Sequence, residues 1–271
     1  MKKKRLIPVL LLKNGWLVQS KEFKRFQNLG NPTAAAKRLS EWASDELIYL
    51  DISKDEVYDM RRNDQAYPNR TSFIEIIEDV SKVSFIPMTV GGRIRNLKDI
   101  EKRLGAGADK ISINTKALED KEFIARAAKE FGSQCVVVSI DVKIINGQYV
   151  VMSSRGSIIT QYSPVQWAQI VESMGAGEIL LNSIDRDGLQ NGYDIELLSK
   201  VSSSVRIPVI ACGGAGEWSH FAEALDKTGV DAVAAANIFH YMDQSVYLAK
   251  KYLYESGHNV RPPFLFSAQL C

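Results

Sequence analysis

The chain has 271 residues, a net charge of +2, 45% hydrophobic and 24% charged residues. Those proportions supply a large core and exclude a disordered chain, and so balanced a charge points to no nucleic-acid or membrane-surface partner. Three widely spaced cysteines, Cys135, Cys212 and Cys271, with no CxxC, argue against disulfides and zinc sites and for a reduced, cytoplasmic compartment.

The opening "MKKKRLIPVLLLKNGW" has the basic start of a signal peptide. Its apolar run ends at Leu12, Lys13 follows at once and no small-residue cleavage site comes after, so it reads as a buried first strand. No run of about 18 apolar residues is available to span a membrane. Along the chain, "RLIPVLLL", "ELIYLDI", "FIPMTV", "DKISIN", "CVVVSIDV", "EILLNSI", "IPVIAC" and "DAVAAAN" alternate with amphipathic segments. Among the latter are 31–44, with Pro32 at a helix start, and 98–107, which closes on glycine. Strands each followed by a helix predict an α/β fold of the (β/α)8 TIM-barrel type, whose usual length of about 250 residues suits this chain; a doubly wound open sheet is the alternative.

No Pro-, Gly- or Ser-rich linker divides the chain, so 1–271 is expected to be one domain. "IPMTVGGRIRN" recurs as "IPVIACGGAGE", and "GAGADKISINT" loosely as "TGVDAVAAANI". The repetition predicts two half-barrels, about 1–131 and 132–256, with a tail at 257–271.

The glycine pairs Gly91-Gly92 and Gly213-Gly214 stand where strands end and helices are about to begin. Glycine lets backbone approach a ligand and exposed N–H groups favour an anion, so each pair is a candidate phosphate cradle. Two such cradles suggest an elongated ligand with a phosphate at each end. Asp141 closes the fifth strand, on the face where this fold carries its chemistry, and points inward with Val137 and Ser139; a carboxylate there can act as general acid or base. "SIDRDG" offers Asp185 and Asp187 with the same ambiguity between chemistry and capping.

At the opposite end, Arg5, Glu46, Lys110 and Glu178 open strands 1, 2, 4 and 6. In a barrel they would meet in a ring at the floor, two positive charges against two negative, where other barrels place apolar side chains. Above it the small residues Ser112 and Ala234 leave a narrow axial passage for a neutral small molecule. His220, His240 and His258 are scattered and read as solvated surface residues, so neither a metal nor another cofactor is implied.

With these residues in view, "FGSQCVVVSIDVK", "GAGEILLNSIDRDG", "GYDIEL", "IPVIACGGAG" and "GADKISINT" resemble the HisF-type cyclase subunit of imidazole glycerol phosphate synthase, from Arg5 to about Tyr254. The resemblance implies a glutaminase subunit docked at the N-terminal face of the barrel. Its ammonia would pass a charged gate and join a doubly phosphorylated ribulosyl substrate, giving imidazole glycerol phosphate and an aminoimidazole ribotide. It equates Arg5, Glu46, Lys110 and Glu178 with the gate, Asp109 with the glutaminase interface and Asp141 with one of two catalytic aspartates. Gly92, Asn114, Thr115, Asp187, Gly188, Gly213, Gly214, Ala236 and Asn237 fall in or beside the phosphate-binding loops.

Departures from the family pattern lie at the catalytic face. Leu11 stands at the place of the second catalytic aspartate, Gln19 replaces a mobile-loop lysine, Arg93 replaces the third glycine of the first cradle, and Asn237 replaces a phosphate-contacting serine. The second βα loop, 53–72, is long and rich in charge. The expectation drawn from these losses is a subunit that still couples to a glutaminase but hands ammonia to an amidating enzyme acting on surface-polysaccharide sugars. The alternative is an active cyclase of histidine biosynthesis.

Overall fold

The computed structural model describes residues 2–53, 58 and 70–265. Much of the long second loop, at 54–57 and 59–69, and the end of the tail with Cys271 lie outside the described residues. In chain order the strands are β1 (Arg5–Lys13), β2 (Trp16–Lys21), β3 (Arg25–Gly30), β4 (Leu47–Asp51), β5 (Met88–Gly91), β6 (Lys110–Ile113), β7 (Val136–Ile145), β8 (Gln148–Ser153), β9 (Ile158–Ile159), β10 (Glu178–Ser183), β11 (Val209–Cys212) and β12 (Ala232–Ala235). The helices are α1 (Pro32–Glu41), α2 (Phe73–Ser81), α3 (Leu97–Gly105), α4 (Thr115–Glu119), α5 (Glu122–Phe131), α6 (Pro164–Ser173), α7 (Ile195–Ser202), α8 (Trp218–Lys227) and α9 (Ser245–Glu255).

Eight parallel strands close on themselves in the order β1, β4, β5, β6, β7, β10, β11, β12, with β12 returning to β1 and β7 pairing β10. This is the (β/α)8 barrel that the alternating pattern predicts. Along each strand the side chains alternate between two cores. Ile7, Val9, Leu11, Ile48, Leu180, Ile210 and Ala234 fill the barrel interior. Leu6, Leu10, Tyr49, Val138, Ile179 and Val233 face the helical ring.

Local signals place the helices. Asn31 accepts from Thr33 N and Ala34 N ahead of Pro32, Asn96 forms a reciprocal cap with Asp99, and Ser163 does so with Gln166 ahead of Pro164. The last helix is tied to the first strands from inside the core: Lys250 Nζ donates to Asp45 at 2.7 Å, and Asp45 also accepts Leu6 N at 2.8 Å.

Two strands overshoot the barrel and fold back as hairpins. Lys13 pairs Trp16 and Ile145 pairs Gln148, so each turn has two central residues, Asn14-Gly15 and Asn146-Gly147, all with positive φ. Asn-Gly in this conformation is the favoured two-residue hairpin turn, because its twist matches that of the strands. Both hairpins rise above the C-terminal mouth of the barrel.

Candidate functional site

At the floor, Arg5, Glu46, Lys110 and Glu178 form a closed ring of alternating charge. Arg5 Nη1 lies 2.6 Å from Glu46 Oε1 and its Nη2 bonds Glu178; Lys110 Nζ lies 3.0 Å from Glu46 Oε2 and 3.1 Å from Glu178 Oε2. Each carboxylate thus spends one oxygen on each cation. Burial alone would push Glu46 up, but Arg5 and Lys110 outweigh it and hold the carboxyl below its ordinary range. Burial disfavours charge on Arg5 as well, and Glu178 and Glu46 more than compensate, so its pKa is raised. Charges withdrawn from water in this way persist because every one has opposite partners.

The ring's surroundings face outward from the same end. Asp109, beside Lys110, accepts Met88 N at 2.8 Å, and Leu47, beside Glu46, donates to Pro87 O at 2.9 Å. The segment between α2 and β5 is therefore fastened to both, and it carries Phe85, 93% exposed, on a groove of about 310 Å³ that also touches Ser81 and Asp109. The larger surface cleft, about 520 Å³ along Gln161, Gln166 and Ser173, belongs to the flank at α6 and includes neither the ring nor Asp141.

Above the ring Ser112 and Ala234 are both buried, and beyond them lies the mouth at the C-terminal ends of the strands. Here the wall is divided. On one side, Asp141 Oδ2 accepts Asn114 Nδ2 at 3.0 Å and its Oδ1 accepts Asn182 Nδ2 at 3.4 Å. Burial raises the Asp141 carboxyl to about 7, Asn182 opposes the rise, and Asp187 adds to it. A carboxyl at that value is half protonated near neutrality and can exchange protons in both directions. Across the mouth, Leu11, 9% exposed, pairs in register with Leu50 and Val18 and shares an apolar cluster with them and Ile52. The leucine is packed by its neighbours rather than leaving a hole where a carboxylate would be.

The glycine loops differ from their reading in the sequence. Gly91 ends β5, and the left-handed pair of the first loop is Gly92 (φ 108°) and Arg93 (φ 52°). In the second loop it is Gly213 (φ 92°) and Gly214 (φ 110°). Backbone conformation thus aligns Arg93, not Gly92, with Gly214. The Arg93 side chain bonds Asp51, a carboxylate that also accepts Ser53 N at 2.9 Å and Tyr58 Oη at 3.1 Å. Arg103 braces the same turn by donating to Gly92 O at 2.7 Å.

The remaining loop residues hold the hairpins. Asp187 Oδ2 accepts Ser20 Oγ at 2.7 Å and Phe23 N at 3.3 Å, and Asn237 Nδ2 donates to Ser20 O at 2.8 Å. A Cβ on Gly188 would stand 2.4 Å from that same Ser20 carbonyl. Burial raises the Asp187 carboxyl, which Ser20 and Phe23 partly offset. Thr115 Oγ1 accepts Ser154 N at 3.3 Å from the second hairpin, and Gln19 donates to Gln27 at 2.7 Å within the first. Ala236, at the end of β12, packs on the apolar cluster of the barrel interior. Asp185 lies apart from Asp141's partners and accepts Ile144 N at 2.6 Å.

Asn182 was not assigned a role from the sequence, although alternation from Glu178 through Leu180 turns it inward. The histidines correct the surface reading: all three are partly buried. His220 Nδ1 accepts Gly216 N at 3.1 Å, His258 sits 3.1 Å from Asp226, and burial lowers His240 to about 4. No cluster of metal-ligating side chains occurs among the described residues, and none of their helices is long and apolar enough to cross a membrane.

Residues 5–245 match the family model for histidine biosynthesis proteins. The imidazole glycerol phosphate synthase subunit HisF of Sulfurisphaera tokodaii is 43% identical over 258 residues, covering 95% of this chain and 98% of that protein. The subunit of the same name from Geobacillus kaustophilus is 44% identical over 260 residues, with 95% and 99% covered, and that of Chlorobaculum parvum is 43% identical over 258.

Proposed function

Because this chain belongs to the histidine biosynthesis family and, within it, to the HisF-type cyclase subunits, we propose that it is the synthase subunit of a glutamine amidotransferase. In this reading a glutaminase docks on the floor. Ammonia passes the charged ring and rises along the axis, and the mouth joins it to a ribulosyl compound with a phosphate at each end, closing the imidazole ring. The observation that carries the reading is the intact ring of Arg5, Glu46, Lys110 and Glu178, set beneath the Asp141 mouth in one barrel.

Each part has a physical task. Neutral ammonia suits a passage whose charges are mutually compensated and whose walls above are Ser112 and Ala234. Phe85, exposed beside the ring, offers a partner apolar area on the floor. At the mouth, the left-handed Gly92-Arg93 and Gly213-Gly214 turns are shaped to present backbone N–H groups to the two phosphates. Asp141, poised near neutrality, takes a proton from the attacking nitrogen and returns one to the departing group.

Leu11 favours a second reading, in which the subunit activates a glutaminase but passes ammonia to an amidating enzyme that modifies a surface-polysaccharide sugar. One positioned acid or base contributes roughly 10² to 10⁴ in rate, so cyclisation with Asp141 alone is expected to be slow. The deciding experiment is turnover of the bisphosphorylated ribulosyl substrate by the purified chain at high ammonium and alkaline pH. Formation of both products supports the cyclase; folded protein that binds a glutaminase yet makes neither product supports the second reading.

A further inference from the structure

Asn182 stands on β10 directly in register with Asp141 on β7. Its amide Nδ2 approaches Asp141 Oδ1 at 3.4 Å from one side, while Asn114 holds Oδ2 from the other. The second half of the Asn182 amide is costly: Oδ1 is buried with no hydrogen-bond donor among the described residues, turned toward Gly213, where a Cβ would come within 2.9 Å of it. An unpaired buried carbonyl is an unfavourable placement that calls for a compensating gain. Turning the amide over would set that oxygen against the carboxylate, so the orientation is the one that gives Asp141 a donor.

The first half of the chain shows what the position does without that task. Leu50 keeps the same distance from Glu46 along its strand that Asn182 keeps from Glu178. Its Cδ2 packs against the neighbouring strand, 2.7 Å from where a Cβ on Gly91 would be, one place before Gly92, the counterpart of Gly213. Leu50 faces Leu11 and Asn182 faces Asp141. Apolar packing therefore suffices to fill the place, and an amide appears beside the carboxylate.

We propose that Asn182 is a positioning residue: it orients the Asp141 carboxylate across the mouth toward the substrate, acting through Asp141 without itself taking part in proton transfer. The proposal rests on reading Asp141 as the acid/base of the cyclase. The other titratable groups facing Asp141 are Asp187, from the loop after β10, and Cys212, at the end of β11; Asn114 and Ser139 are its neutral polar neighbours.

The test is the titration of Asp141 in the full chain, followed by carbon NMR of labelled aspartate carboxyls and identified by the signal missing in Asp141→Asn. Asn182→Leu, the side chain found at position 50, removes a donor to the ionised form and is expected to raise the Asp141 midpoint by about one pH unit. Asn182→Thr keeps a donor and is expected to stay within a few tenths of wild type. Asn182→Ala repeats the deletion without a bulky side chain, should the leucine variant not fold. In ammonia-dependent turnover the deletion lowers kcat about tenfold and leaves KM for the bisphosphate substrate unchanged, with the pH profile displaced in the same direction. An unmoved midpoint in the folded deletion variants overturns the proposal. A displaced midpoint in a protein whose wild type makes no product leaves the positioning intact and overturns the cyclase reading instead.

Discussion

Lys110 Nζ stands 3.0 Å from Glu46 Oε2 and, with 3.1 Å to Glu178, closes the floor ring opposite Arg5. Lys110→Ala leaves two buried carboxylates to share one guanidinium. Breaking a buried ion pair on one side costs about 3 to 5 kcal/mol, so stability is expected to fall by roughly the lower of these values, since Lys110 itself is partly exposed. Glutamine-dependent turnover is expected to drop at least tenfold, while ammonia-dependent turnover stays within a few fold, because free ammonia reaches the mouth from solvent. Equal losses in both assays would show that the ring supports the fold and not the passage.

The Asp141 carboxyl, raised by burial to about 7, makes a stability prediction whose sign is fixed. Between the ordinary aspartate value and about 7 the folded chain binds the proton more tightly than the unfolded one, so this group's contribution to stability falls as pH rises through that window. Asp141→Asn removes the charge. Its new amide is matched when Asn182 turns over and offers the Oδ1 that otherwise lacks a donor. The variant is expected to be inactive yet more stable than wild type at pH 8, with no gain at pH 4, as thermal unfolding at the two pH values will report. Equal stabilisation at both would mean that Asp141 carries no such cost.

Leu11→Asp places a carboxylate among Val18, Leu50 and Ile52. None of these supplies a side-chain hydrogen bond, so the new group stays protonated near neutrality and costs about 1 to 3 kcal/mol in denaturant unfolding. Turnover is expected to remain within tenfold of wild type. A hundredfold rise in cyclase rate would show that the pocket needs only the missing carboxylate, and that the surrounding apolar cluster is incidental.

What the sequence disclosed, and what it concealed, follows from the range of the forces involved. The floor ring was legible because strand alternation is strictly local: a residue one place ahead of an apolar run turns inward at the N-terminal end of its strand, and long charged side chains there come within reach of one another once the sheet closes. The inward direction of Asp141 was legible for the same reason. The two hairpins were signalled by Asn14-Gly15 and Asn146-Gly147, but the third strand of the first ribbon, Arg25–Gly30, is largely exposed and carries no apolar pattern to announce it. Pairing Gly91-Gly92 with Gly213-Gly214 by letter did not show that Arg93 takes the left-handed backbone of Gly214, because a side chain at that place hides the conformation that glycine advertises. Neither the packing of Leu11 nor the amide beside Asp141 was readable, since both depend on contacts between strands distant along the chain.

Arg93 and Gly214 adopt left-handed backbone at matching places, yet their substitution is expected to have opposite logic. Arg93→Gly suits φ 52° and relieves the modest cost of a side chain there, but it leaves Asp51, whose side chain is fully buried, with Ser53 and Tyr58 as its donors among the described residues. Loss of the ion pair outweighs the gain, so the variant is expected to be less stable by about 3 kcal/mol, with phosphate binding at the first loop changed by less than tenfold. Gly214→Ala leaves every charge in place and fails sterically, because its Cβ would lie 2.1 Å from Gly192 O in a turn with φ 110°. The second turn must move, and affinity for the bisphosphate substrate is expected to fall by at least a factor of ten with smaller effect on unfolding. Calorimetric titration beside thermal unfolding separates the two cases, and a strong affinity loss in Arg93→Gly would instead assign the guanidinium a direct part in holding the ligand.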